Sequence, residues 1–350
     1  MANRPTIHDV AREAGVSSAT VDRVLNGREK VREETARKVY EAARLIGYHA
    51  APLIGQRVHA DLPRLRLGLV LHKERQAFYQ AFKAEAERAV SQAVGVRASL
   101  QVAFASSQSP RDFTELMEGM AGRVDAIAAT AVTHPEVTEA VIRLNAKGIP
   151  CFSLLNDFGQ GVRQNYLGLN NLKVGRIAAH MIATASHHAG KIAVFVGGYR
   201  WHGHELRETG VRSYFREHAP QFQILDTLIN LETRQLTYEA TSDLLARHPD
   251  LVGLYVAGGG MEGAIQAVRE ARSDANAAPR VVLIVNELTP ESQSGLQDQT
   301  VSVVLGTPVR QIAADLIALM ITTSEKGMAE TPGQRFFPSE VWTPESEFMR

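Results

Sequence analysis

Three stretches of this chain crowd side chains able to grip a small polar molecule. GGYRWHGHELRETGVRSYF, beginning at Gly197, is the richest polar and aromatic segment, with Tyr199, Arg200, Trp201, His202 and His204 gathered just after the apolar run KIAVFV. Asn156 and Asp157 follow the run IPCFSLL, and an amide beside a carboxylate can hold adjacent hydroxyls. Gly258, Gly259 and Gly260 stand between LVGLYV and the pair Met261-Glu262, where bare backbone lets N–H groups or a larger ligand come close, or cradles a phosphate. The run lacks the full spacing of a nucleotide-binding loop. His202 and His204, two apart and without partners of known position, fit a polar loop better than a metal site. The chain contains no GxSxG elbow, Walker loop or HExxH motif, so no catalytic residue, cofactor or metal is assigned and no enzyme is expected.

These groups need strands to present them, and the pattern supplies strands. Short apolar runs at 67–72, 98–105, 124–130 and 149–155 alternate with helical stretches near 77–93, 110–121 and 135–147. The alternation repeats with runs at 191–198, 222–229, 251–258 and 280–286. Alternating strands and helices predict parallel sheets covered on both faces, and two sets predict two lobes. Ligands of such sheets bind beyond the carboxyl ends of the strands. That rule selects Gln76, Phe78 and Tyr79 after the first strand, Thr130 and Thr133 after the third, and Asn156 and Asp157 after the fourth. Phe78 also has a plainer reading, since Phe78 and Phe82 are four apart and make a helix face.

The first sixty residues are of another kind. Thr6 and Asp9 form a capping box ahead of a helix over 7–14 whose apolar side is Val10, Ala11 and Ala14. Gly15 permits a tight turn, Ser17 caps a second helix packed through Thr20, Val21, Val24 and Leu25, and Asn26-Gly27 stops it. Ser18, Ala19, Asp22 and Arg23 are left facing out. A third helix over 33–46 carries Val39, Ala42, Ala43 and Ile46, with Gly47 as its stop. Two such helices joined by a glycine turn make a unit whose second helix enters the DNA major groove. Residues 1–60 hold ten Arg or Lys against seven Asp or Glu in a chain that balances 38 against 38, so the front is the basic part.

TIHDVAREAGVSSATVDRVLNG followed by TARKVYEAARLIGY resembles the headpiece of the LacI/GalR family of bacterial transcription repressors. The resemblance implies that Ser18, Ala19 and Arg23 read bases while Ser17, Thr20 and Asn26 touch phosphates. Arginine pairs with guanine, a small apolar side chain meets a thymine methyl, and hydroxyls or amides bond phosphate oxygens. Asp22 departs from the family's usual serine; a carboxylate is repelled by phosphate, and pairing with a neighbouring arginine is one role for it. In the linker AAPLIGQRV, residues 50–58, the family commonly has a hinge helix with a minor-groove leucine. Here Pro52 and Gly55 weaken a helix, Arg57 stands near the wedge position, and Leu53 or Ile54 offers an apolar wedge in a shifted register.

From about residue 65 the chain resembles the type I periplasmic-binding-protein fold that these regulators share with sugar receptors. The expected fold class is α/β, an all-α helix-turn-helix headpiece followed by two Rossmann-like doubly wound lobes. The expected domains are a headpiece at 1–49, a linker at 50–64 and a ligand-binding and dimerisation domain at 65–345. Lobe one takes 65–167 and 307–326, and lobe two takes 168–305 and 327–345. By the same resemblance Phe78 and Tyr79 stack on a sugar, Arg207 holds ligand oxygens and Glu287 is an acidic contact, while Tyr199, Trp201, His204 and Glu262 crowd the same site. Glycines stand at 258–260 where the family places an Asn-Asp pair, and Gly306 replaces a common polar residue, so a ligand other than a simple hexose is open.

Composition agrees. Three hundred and fifty residues suit a small module plus two lobes. The single cysteine, Cys151, lies in an apolar run and excludes an internal disulfide framework or a cysteine-based zinc site. No run approaches a membrane span. The chain is thus read as a cytoplasmic, homodimeric transcriptional regulator, a repressor by preference. It would meet a near-palindromic operator and answer to a sugar or polyol effector, with a sugar phosphate, a sugar acid or corepressor-dependent control as alternatives and a solute-binding protein as a distant one.

Overall fold

A computed structural model describes residues 4–27, 31–58, 62–273 and 281–348, apart from the side chains of residue 33 and of 56–58. Arg28 and Lys30, two of the ten basic residues counted in 1–60, Arg280 at the start of the run 280–286, and the side chain of Arg57 lie outside the described residues. Two compact units divide the chain. One is residues 1–65 with 93–99, the other 66–92 with 100–350.

The first unit is helical. Helices α1 (Ile7–Ala14), α2 (Ser18–Asn26), α3 (Glu33–Leu45) and α4 (Ala51–Val58) close on a core of Val10, Val21, Val24, Val39, Ala43, Tyr48 and Ile54. Asp9 is the hub of the first cap, its carboxylate accepting from Thr6 N at 2.9 Å and Thr6 Oγ1 at 2.7 Å. Gly15 then turns the chain in the left-handed region at φ 64°, a conformation costly to any side chain. Helix α4 forms across the linker in which Pro52 and Gly55 argued against one. Pro52 is the second helical residue, where a missing N–H costs no hydrogen bond. At Gly55 the Tyr40 ring occupies the space of a side chain, its Cε2 2.6 Å from where a Cβ would stand, so glycine is what lets α4 close on α3.

The second unit holds two sheets. In the first, β1 (Arg64–His72), β2 (Arg97–Ala105), β3 (Ala126–Ala129), β4 (Cys151–Leu154) and β5 (Asn165–Leu169) are joined by a late strand, β12 (Gly333–Phe337), in the order β12-β5-β4-β3-β1-β2. The second contains β6 (Lys191–Val196), β9 (Leu251–Val256), β10 (Val282–Asn286) and β11 (Val303–Gly306), parallel throughout, with β13 (Glu340–Trp342) antiparallel at one edge. At the other edge β7 (Gln223–Ile224) and β8 (Leu228–Ile229) pair with β6 as two fragments where one strand was expected. The central strands β3, β4, β9 and β10 are buried along their whole length on both faces, as the inner strands of parallel sheets are.

Helices α5 (Ala77–Ser91), α6 (Pro110–Gly119) and α7 (Pro135–Ala146) belong with the first sheet, and α13 (Val309–Lys326) packs on α5, β3 and β5. Helices α8 (Asn171–Ala185), α9 (His202–His218), α10 (Arg234–Arg247), α11 (Met261–Ser273) and α12 (Pro290–Gln297) belong with the second. One boundary needs correction: residues 327–345 were expected in lobe two, yet Gly333–Phe337 pairs parallel with β5 of the first sheet before the chain crosses to β11. Arg163 and Gln334 explain the attraction. Arg163 donates to Gly333 O at 2.7 Å, and Gln334 Nε2 donates to Asp157 at 2.9 Å, so the edge strand is fastened by side chains as well as by its ladder. No helix among the described residues is long and apolar enough to cross a membrane.

Candidate functional site

The carboxyl ends of both sheets converge on one cavity of about 310 Å³, room for one sugar-sized molecule. The first sheet contributes Arg75, Gln76, Phe78 and Tyr79 beyond β1, Thr130 beyond β3, and Leu155 and Asn156 beyond β4. The second contributes Trp201, His204 and Arg207 beyond β6, Glu232 beyond β8, Gly258, Gly259 and Glu262 beyond β9, and Asn286 and Glu287 at the end of β10, with Thr307 beyond β11.

Arg207 is the centre of the second lobe's wall. Its side chain is buried, Nε donating to Asn171 Oδ1 at 2.7 Å and Nη1 to Ala257 O at 2.6 Å. A guanidinium carries five donors, so these two bonds fix its plane and leave others for a ligand. Glu287 lies at φ 71°, an unusual backbone for glutamate, and Thr307 anchors its carboxylate twice, through N at 3.0 Å and Oγ1 at 2.7 Å. Burial raises the Glu287 pKa against the pull of Arg207 and Thr307. The orientation of Arg207 and the acidity of Glu287 are thereby set by the fold before anything binds.

Glu232 gives the cavity a second buried acidic group. It sits at φ 52°, and its Oε2 takes Lys73 Nζ at 3.0 Å while its backbone oxygen takes the same ammonium at 3.1 Å. Lys73 directly follows β1 of the first sheet and Glu232 lies beyond β8 of the second, so the pair ties the lobes. Two backbone donors tie them again: Gly203 N to Asn156 Oδ1 at 3.1 Å and Thr133 N to Arg200 O at 2.9 Å. Trp201 completes the seam by packing into the first lobe's core with Val70 and Phe113. His204 accepts from Gly197 N through Nδ1 at 3.0 Å and stands 3.7 Å from Glu232 Oε1, and burial depresses its pKa to about 4, so the ring is neutral.

Ten of the residues expected at the ligand site line this cavity: Gln76, Phe78, Tyr79, Thr130, Asn156, Trp201, His204, Arg207, Glu262 and Glu287. Three do not. Asp157 is spent on structure, its carboxylate held by Arg163 Nε at 2.7 Å and Nη2 at 2.9 Å and by Ser153 Oγ at 2.9 Å. Thr133 is a scaffold, bonded to Asp157 O, to Asn156 Nδ2 and across the lobes to Arg200. Tyr199 points into solvent at 65% exposure. Sequence reasoning passed over Asn171, Glu232, Asn286 and Thr307. Asn286 and Thr307 immediately border features it did use, Glu287 and Gly306. Glu232 stands three residues beyond the run 222–229, a single carboxylate between Leu231 and Thr233 with no neighbour to mark it as a ligand group. The described residues contain no cluster of His, Cys, Asp or Glu suited to a metal.

In the helical unit α2 presents Ala19, Arg23, Ser17 and Asn26 to solvent, with Ser18 and Thr20 partly covered. Ser17 caps α2 by accepting from Thr20 N at 3.2 Å, and Ser18 Oγ lies 2.9 Å from His8 Nδ1. Asp22, the unexpected carboxylate, accepts from Asn26 Nδ2 at 2.6 Å, so it orders one of the groups expected to meet phosphate. On α4, Leu53 is 43% exposed and Ile54 fully buried, which leaves Leu53 as the apolar side chain available to a groove.

Two doubly wound sheets sharing a cavity at their strand ends define a two-lobed small-molecule-binding protein, and the helical unit adds a helix-turn-helix. The chain belongs to the periplasmic binding protein domain family, whose model matches residues 67–326, and residues 6–51 match the model of bacterial regulatory proteins of the lacI family. Its relatives are transcriptional regulators. HTH-type transcriptional regulator GntR of Pseudomonas aeruginosa is 32% identical over 182 residues, which are 51% of this chain and 50% of that protein. GalS of Salmonella typhimurium is 26% identical over 271 residues, 76% of this chain and 75% of its own. The match thus spans about half the length of the first relative. Among solved structures, an ABC transporter periplasmic solute binding protein from Actinobacillus succinogenes with bound D-allose superposes with a TM-score of 0.71 over 80% of this chain and 98% of that one, at 21% identity, a likeness of fold.

Proposed function

We propose that this protein is a homodimeric, sequence-specific transcriptional regulator, a repressor by preference, whose affinity for a near-palindromic operator is set by a sugar or polyol in the cleft. The observation that carries the reading is the pairing of a helix-turn-helix with a buried cavity in which Arg207 and Glu287 are pre-oriented, one by Asn171 and Ala257, the other by Thr307. Pre-oriented donors and acceptors bind hydroxyls without a further ordering cost. Phe78 and Tyr79, with ring centroids 5.2 Å apart, supply the apolar faces on which a sugar ring lies. D-allose in the Actinobacillus structure supports the same ligand class. The cleft is read as a binding site. The protein is assigned to the cytoplasm, with its operator.

Arg23, Ser18 and Ala19 are assigned to base edges and Ser17, Thr20 and Asn26 to phosphates, with Leu53 of α4 as the minor-groove side chain. Ligand closes the lobes and changes the fit of the paired headpieces to the operator. The test is operator footprinting and ligand titration of Arg23→Ala and Arg207→Ala. Arg23→Ala is expected to lose selective protection with ligand binding intact. Arg207→Ala is expected to keep its footprint and lose the response. An unchanged footprint in the first, or a normal response in the second, refutes the corresponding assignment.

A further inference from the structure

The glycine run beyond β9 has the makings of an anion site: bare backbone just before the N-terminus of the thirteen-residue helix α11, where N–H groups and the helix dipole favour negative charge. The chain supplies an anion of its own there. Gly259 N donates to Glu232 Oε1 at 3.3 Å. A Cβ at Gly259 would stand 3.0 Å from Glu232 Cβ, one at Gly197 2.5 Å from Glu232 Cγ, and one at Gly258 would collide with His204 Cε1. Glycine at these three positions is therefore what admits the Glu232 and His204 side chains. Burial pushes the Glu232 pKa up, but its surroundings, with the Lys73 ammonium 3.0 Å from Oε2, outweigh burial and hold the carboxyl below its usual value, so the group is charged at neutral pH.

We propose that Glu232 occupies the anion position formed by Gly258 and Gly259 ahead of α11 and thereby makes the cleft select an uncharged polyol over a sugar phosphate or sugar acid. The proposal rests on the reading of the cleft as an effector site. The rest of the wall acts in the same direction. Glu262, Glu287 and Glu291 add carboxylates against the guanidiniums of Arg75 and Arg207, and two donors of Arg207 are already committed to Asn171 and Ala257. The ammonium of Lys73 is tied up by Glu232 itself. A phosphate entering here meets like charge at close range. A hydroxyl does not.

The experiment is a calorimetric and thermal-shift titration of the full chain, wild type, Glu232→Gln and Glu232→Ala, with inorganic phosphate, D-glucose 6-phosphate, D-gluconate, D-allose and myo-inositol. Wild type is expected to ignore the three anions. Glu232→Ala, which removes the internal anion and frees Gly259 N, is expected to gain about tenfold or more in affinity for inorganic phosphate. Glu232→Gln keeps the shape and is expected to gain less, and it serves as the readout if Glu232→Ala does not fold. Preference of wild type for D-glucose 6-phosphate over the neutral probes overturns the proposal, as does a folded variant with no gain for phosphate. If wild type answers to neither neutral probe, the effector class fails separately, and the phosphate titration of the variants still decides what Glu232 does.

Discussion

His72 and His204 carry unequal duties with one shared consequence for pH. Both rings are buried, His72 against Tyr79, Phe113 and Trp201, and His204 against Glu232 and the glycine run, and burial depresses each pKa to about 4. Both pKa values lie below the unfolded value near 6.5, so the unfolded chain binds more protons in the window between and stability is lost as pH falls through it. At about pH 5 each histidine should cost roughly 2 kcal/mol relative to neutral pH. Glu287 works the other way, since its raised pKa contributes stability that fades as pH rises past the ordinary carboxyl range. The expected result is a melting temperature that falls between pH 7 and 5 and a fall that is smaller in His204→Gln; an equal fall in that variant would exclude His204 as a source. At the same scale, Arg207→Lys keeps the charge but not the fork that spans Asn171 and Ala257, and ligand affinity is expected to drop by about a hundredfold with the footprint intact.

Helix α4 is the element on which sequence and structure part. Proline and glycine in AAPLIGQRV argue against a helix when propensity is counted alone, but Pro52 sits in the first turn and Gly55 is required by the Tyr40 ring. Tertiary packing overrides propensity, and packing is invisible until α3 is in place. The headpiece caps were legible because each is local: Thr6 with Asp9, Ser17 with Thr20, glycine at 15. So were the long β-strands, whose apolar runs are continuous. The break into β7 and β8 was not, since the run 222–229 reads as one strand, and Glu232 beyond it stands as a single carboxylate with nothing local to mark it. Asp157 misled for a different reason: its position at a strand end suited a ligand, and only the fold brings Arg163 and Gln334 to it. Two variants test the element. Gly55→Leu should overpack against Tyr40 and destabilise the helical unit by about 1–3 kcal/mol in chemical denaturation. Leu53→Ala, at an exposed position, should leave that stability nearly unchanged while weakening operator binding, and a loss of stability without a loss of binding would remove Leu53 from the groove.

Across the whole molecule, the lobes are joined by few but well-buried ties, and the Lys73–Glu232 pair is the one that side-chain chemistry can switch. Its exposure, 23% for Lys73 and 10% for Glu232, separates it from the surface ion pairs on the helices, which contribute little. A buried pair of this kind matters most when one partner is removed, because the other charge is then left without compensation. Lys73→Met should therefore destabilise the two-lobed unit by about 2–4 kcal/mol. Lys73→Met combined with Glu232→Gln should recover much of that loss, since neither charge remains, yet still lack the tie between β1 and β8. The double mutant therefore separates stability from closure: its melting temperature approaches wild type while its scattering profile without ligand shows wider lobes. Its effector affinity then falls by the fraction of molecules closed before binding. Scattering curves identical for wild type and the double mutant would show that Asn156, Gly203, Thr133, Arg200 and the seated Trp201 hold the lobes by themselves, leaving the ion pair no part in closure.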